Sequence, residues 1–185
     1  MAFNDDKSDA ELWKGLREGS KADFSALYQR YAKSLFHYGF KITPDKVVVQ
    51  DAVQDLFIEI WNSKSNSAVA HVKFYLFSAL RYKIFRSIKA ESSMIIENYA
   101  DLTEDSAEEE WTFKETEMEK LLLLQHAIKE LPVRQQEALN LKYHQNFSNE
   151  DIAKIMDINY QSVSNLLFKA LNSLKKKFKL KPTDI

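Results

Sequence analysis

Apolar residues in this chain recur mainly at three- and four-residue steps, the spacing that lines one face of a helix. Helices are expected over residues 9–18 and 21–40. Thr43-Pro44-Asp45 opens a third, with Pro44 early in the helix and Asp45 in its first turn. That helix runs to Trp61 and buries Val53, Leu56, Phe57 and Ile60. The polar run Asn62-Ser63-Lys64-Ser65-Asn66-Ser67 breaks it. A fourth helix, over 72–89, carries Phe77, Leu80, Ile84 and Ile88 as its core stripe. Residues 91–115 lose the helical period. The pattern resumes with Met118, Leu121, Leu122, Leu124, Ile128 and Leu131. Pro132 restarts a helix that ends near His144, and two more follow over 149–156 and 160–178.

Three Gly and three Pro among 185 residues leave few turns for strands, so an all-α fold is expected. It divides into two small helical domains, 9–90 and 116–180, joined by a flexible acidic linker at 91–115, with a helix-turn-helix in the second.

Charge sharpens that division. The net of −1 hides a block at 91–130 with 12 acids against 3 bases, flanked by two basic blocks. Residues 1–90 carry 14 bases and 10 acids, and 131–185 carry 9 and 5. Acid-rich, aperiodic sequence suits a tether. Basic blocks at both ends point to nucleic acid, although uneven solvation of an ordinary surface would look alike.

The helix-turn-helix is the sharpest local pattern. Ser148-x-x-Asp151 resembles a capping box. The short helix after it buries Ile152, Ile155 and Met156, and Ala153 is small enough for a close helix crossing. Asp157-Ile158-Asn159 makes the turn, with Asn159 as the next N-cap. The last helix places Val163, Leu166, Leu167, Ala170, Leu171, Leu174 and Phe178 in one sector. The opposite sector holds Gln161, Asn165, Phe168, Lys169, Asn172 and Lys176, and no acid occurs between Asp157 and Asp184. Amides and lysines reach base edges in a major groove, and Lys175, Lys176, Lys177 and Lys179 suit phosphates. A helical hairpin with a polar outer face is the plainer alternative.

Two surfaces stand out in the first domain. Asp51, Asp55 and Glu59 sit at i, i+4 and i+8, where like charges repel by a few tenths of a kcal/mol per pair. A basic protein partner would account for them, as would simple solubility. Along the fourth helix, Tyr75, Tyr82, Lys83, Arg86 and Lys89 lie opposite the core stripe, with no acid from Val72 to Ala90. Rings that stack on unpaired bases beside cations that track phosphates suit single-stranded DNA; tyrosines half-buried against a neighbouring helix are the simpler reading.

Taken in order, these residues resemble the extracytoplasmic-function (ECF) sigma factors of bacterial RNA polymerase. Asp51-x-x-Gln54-Asp55-x-Phe57 is similar to the family's polymerase-binding helix. Tyr75-Leu76 with Leu80-Arg81 resembles its promoter helix, and Leu131-Pro132 through Leu174 its C-terminal helix-turn-helix. The acid-rich composition and the run Gln161-Ser162-Val163-Ser164-Asn165 resemble Bacteroidetes-type members. The resemblance implies that Asp51, Gln54, Asp55 and Phe57 bind core polymerase, against the β′ clamp with β as a further contact. It implies that the loop over 62–71, with Asn62, Lys64 and Asn66, holds a flipped base of the −10 element beside Tyr75, Tyr82, Lys83 and Arg86. It implies that Gln161, Ser164, Asn165, Phe168 and Lys169 face the −35 element. An anti-sigma factor and a monomeric free state are family expectations.

Departures bear on detail. Tyr82 stands where relatives commonly have Asn. Asp157 takes a turn position often held by Gly, which would allow a different turn geometry. Asn165 and Lys169 replace common arginines, and Lys does not read a base edge bidentately.

The chain has no cysteine, which excludes disulfides and thiolate zinc sites. It lacks a signal-peptide layout and any apolar run of about 20 residues, so a cytoplasmic protein with no direct membrane insertion is expected. No catalytic constellation, metal ligand set or cofactor motif is evident, and no enzyme activity is expected. The rivals are a polymerase-independent helix-turn-helix regulator, a helical interaction module and, least favoured, a nucleic-acid enzyme.

Overall fold

Ser8 starts the first helix: its hydroxyl accepts from the Glu11 N–H, and the Glu11 carboxylate accepts from the Ser8 N–H, a complete capping box. The structure, a computed structural model, describes residues 7–63, 69–94 and 117–178, giving backbone alone for 91–94 and 117–121. Among these residues the regular structure is entirely helical. The elements are α1 (Asp9–Arg17), α2 (Lys21–Ile42), α3 (Lys46–Asn62) and α4 (Val72–Met94), then α5 (Glu117–Lys129), α6 (Val133–Leu139), α7 (Asn149–Met156) and α8 (Tyr160–Phe178).

Three boundaries differ from the sequence expectation. Asp45 is the N-cap of α3, and its carboxylate accepts from the N–H groups of Val47 and Val48, so Pro44 lies before the helix. A side chain that satisfies two orphan donors outweighs the proline's preference for the first helical position. α4 continues to Met94. No Gly or Pro interrupts it, so the helix propagates past its buried stripe and takes the first residues of the expected linker. The rest of that linker lies outside the described residues. Finally, α6 passes into a wide π turn, Asn140–His144, where the Gln145 N–H donates to the Asn140 carbonyl five residues back at 2.9 Å.

α1 to α4 pack as one bundle. Leu27, Leu35 and Tyr38 of α2, Val49, Val53 and Leu56 of α3, and Leu76, Phe77, Leu80 and Ile84 of α4 are buried together. α5 to α8 form a second group around Leu141, Ile152, Met156, Val163 and Ala170. The two groups lie against one another, α2 on α6 and α4 on α7. One continuous buried cluster crosses the seam.

Candidate nucleic-acid interface

The helix-turn-helix is held by side-chain caps. Ser148 Oγ accepts from the Asp151 N–H at 3.1 Å, and Asn159 Oδ1 accepts from the Ser162 N–H at 2.7 Å. Between them Asp157 adopts the left-handed conformation, φ 52° and ψ 55°. The turn is therefore the one a glycine would make, and Asp157 imposes no different geometry. Asp tolerates this region better than most side chains, at some cost. Val163, Leu167 and Ala170 anchor α8, while Leu166, Leu171 and Leu174 pack at the edge of the core.

The outward face of α8 carries Gln161, Asn165, Phe168 and Lys169, all exposed, with Ser164 half-buried. Phe168 is 66% exposed, the most exposed apolar side chain on α8 among the described residues. Gln161 donates to Asn165 Oδ1 at 3.2 Å, which pre-orients both amides on successive turns. The Ser164 hydroxyl donates back to the Tyr160 carbonyl at 3.3 Å.

On α4, Tyr75, Tyr82 and Arg86 are exposed, Tyr82 at 67%. Tyr75 and Tyr82 line a recess of about 480 Å³ with Val69, Ala70, His71 and Phe74. Trp13 of α1 meets the Tyr75 ring edge-on, centroids 5.4 Å apart, and braces it. Burial first, then the charge of Glu59, raises the Tyr75 hydroxyl above its ordinary value, so it stays a proton donor. Lys83 donates to Glu59 at 2.5 Å, which draws Glu59 out of the expected acidic row and ties Lys83 to α3. Asn62 is exposed at the end of α3, while Lys64 and Asn66 lie outside the described residues.

Asp51, Gln54 and Asp55 are exposed on α3. Phe57 is 2% exposed, packed against Phe24 and Tyr28, so it acts as floor rather than as a projecting contact. Asp51, Gln54 and Phe57, with Phe24, Tyr28, Phe36, Gln50 and Ile58, line a shallow groove of about 580 Å³, and Asp55 lies outside it. Among the described residues, no three His, Asp or Glu side chains gather as a metal site, and no helix is long and apolar enough to cross a membrane.

The seam was not anticipated from sequence. Glu137 of α6 is 2% exposed, and its Oε1 accepts from the Tyr38 hydroxyl at 2.9 Å and from Arg81 Nε at 2.8 Å. Burial, then Glu137, pushes the Tyr38 hydroxyl well above its ordinary value. Phe147 stands edge-on to Phe77 at 5.3 Å. Lys73 donates to the Gln145 carbonyl at 2.6 Å and lies over the Phe147 ring. Burial lowers the pKa of that ammonium. The one available signal was a single acid among Ala138, Leu139 and Leu141.

Residues 121–174, from α5 almost to the end of α8, match the family described as sigma-70, region 4. In three dimensions the chain is similar to CnrH in complex with the cytosolic domain of CnrY, with a TM-score of 0.61 and 16% identity over 94% of this chain and 98% of that one. It is also similar to the sigma factor RpoE of Bartonella quintana in complex with the anti-sigma factor NepR, with a TM-score of 0.63 and 20% identity over 86% of this chain and 98% of that one. At these identities the likeness is one of fold. No curated protein sequence matches the chain.

Proposed function

We propose that this chain is a sigma factor of the extracytoplasmic-function kind, acting in the cytoplasm to bind core RNA polymerase and direct promoter-specific initiation. The observation that carries this reading is the sigma-70 region 4 match falling on a helix-turn-helix whose last helix exposes an acid-free face with Phe168 and Lys169. The likeness in fold to a sigma factor over most of the chain supports extending it to the first bundle.

The first domain, about 9–90, takes the polymerase and the −10 element. Asp51, Gln54 and Asp55 present amide and carboxylates to a basic surface of the β′ clamp, and the groove above Phe57 adds apolar contact. The recess beside Tyr75 and Tyr82 receives a base turned out of the duplex, with Asn62, Lys64 and Asn66 as further contacts and Lys83 and Arg86 along the backbone. Turning a base out costs a few kcal/mol, which stacking on rings repays at about 1–3 kcal/mol per base. The second domain, about 116–180, sets its last helix in the major groove at −35, where Gln161, Ser164, Asn165 and Lys169 meet base edges or phosphates and Phe168 meets apolar base surface. An anti-sigma factor is the expected regulator, because the similar RpoE is held by one. The run at 161–165 supports a Bacteroidetes-type member.

The test is run-off transcription with purified core polymerase and a promoter library, using the parent chain and Asp55→Lys. The parent is expected to start transcripts at a defined sequence. The variant is expected to keep its helicity and lose co-purification with core polymerase. A folded parent that starts no specific transcript overturns the reading.

A further inference from the structure

The seam has the features of a built contact. Glu137 has almost no access to water, and a buried carboxylate is tolerated only with partners. Both of its partners, Tyr38 and Arg81, come from the first bundle, on two different helices. Its burial therefore exists only while α6 sits on α2 and α4. Phe147 on Phe77 and Lys73 on the Gln145 carbonyl extend the contact to α7 and its approach.

The seam leaves the outward faces of α4 and α8 open: Tyr82 and Phe168 are among the most exposed large side chains. What it constrains is their separation. The −10 and −35 elements lie roughly 85 Å apart, at ~3.4 Å per base pair. A compact chain of this length has a radius of gyration of about 16 Å and so a diameter of roughly 40 Å. With α4 touching α7, the two faces cannot reach both elements together.

We propose that Glu137 is the latch of an autoinhibitory closure, in which the second helical group docks on the first and holds the two DNA-reading faces too close for a promoter. The closure stands on the seam alone; its consequence for initiation rests on the sigma-factor reading. A buried ion pair nets little against hydrogen-bonded alternatives outside, so contacts with polymerase can displace it. Removing one partner is different, because it strands the other. A charge-assisted hydrogen bond lost at such a site shifts the closed–open equilibrium roughly tenfold to a hundredfold.

The chain has no cysteine, so an engineered pair is unique. His37 and His144 face each other across the seam, ring centroids 5.0 Å apart. In the double variant His37→Cys, His144→Cys, a short thiol-cleavable bismaleimide should join the two positions in the free chain. The joined chain should lose at least tenfold in run-off yield with core polymerase and recover when the linker is cleaved. Independently, Glu137→Gln should raise the radius of gyration of the free chain in X-ray scattering, with helicity unchanged. Failure to crosslink, equal transcription by joined and cleaved chains, or an unchanged radius for Glu137→Gln each overturns the latch. If the cleaved chain starts no transcript on any promoter, the sigma-factor reading fails by itself, and the scattering still decides for or against closure.

Discussion

Gly39 of α2 lies so close to Val49 of α3 that a Cβ on it would stand 2.6 Å from Val49 Cγ1 and 3.3 Å from Ile84 Cδ1. Three helices meet at this point, and the glycine is what lets them. Gly39→Ala gains up to about 1 kcal/mol of helix propensity, yet overpacking in a close-fitted core costs about 1–3 kcal/mol. A net loss of up to about 2–3 kcal/mol is expected in urea denaturation. Adding Val49→Ala should make room for the new methyl and recover part of the loss, in a double-mutant cycle with a favourable coupling. A single variant as stable as the parent would show that the helices part at no cost.

Asp157 is the mirror case, a non-glycine where a glycine would fit. Its φ of 52° places it in the left-handed region, and its N–H donates to the carbonyls of Ala153 and Lys154, closing the helix end. Asp157→Gly should raise stability by up to about 1 kcal/mol, since the Cβ strain is relieved while the backbone entropy of the unfolded chain rises against it. Affinity for duplex DNA should not change, because the residue sits in the turn and not on the outward face of α8. A drop in thermal stability would mean that the Asp157 side chain contributes something beyond the turn.

On α8 the two exposed neighbours should separate by salt. Lys169→Ala, assayed as holoenzyme on a −35 duplex, should weaken binding and reduce the slope of log affinity against log salt by about 0.9 if the ammonium meets a phosphate. Phe168→Ala should cost about 1 kcal/mol of binding with no change in that slope, because an apolar contact releases no counterion. Neither should alter melting, as both side chains are exposed. Identical footprints for both variants and the parent would remove this face from DNA recognition.

Much of this architecture was legible because it is local. The caps Ser148 and Asn159, the stripe Phe77–Leu80–Ile84 and the exposed Phe168 follow from spacing and side-chain chemistry within one or two turns. Where two local preferences competed, at Pro44 and Asp45, hydrogen bonding decided and the sequence did not announce it. Phe57 shows a further limit: a phenyl expected to contact a partner lies beneath the surface of its helix instead. The seam was illegible for a different reason. Tyr38 and Glu137 are 99 positions apart, Arg81 and Glu137 are 56 apart, and no periodicity links them. A lone buried acid looks like any solvated acid until its partners arrive from another part of the chain.

The seam should also respond to pH through His37. Its imidazole is held below the ordinary value of 6.5, first by burial, then by the charges of Lys41 and His144. Closure thus favours the neutral ring, and parting the halves removes His144 and part of the burial, letting the value return toward 6.5. A depressed value in the closed form means that its contribution is complete above about 6.5 and fades as pH falls below it. The radius of gyration of the free chain should therefore grow between pH 7.5 and 5.5. His37→Gln should flatten the profile and leave the radius at pH 7.5 where it was. A parent chain whose radius is constant over the same interval would mean that His37 and His144 lie side by side without bearing on the closure.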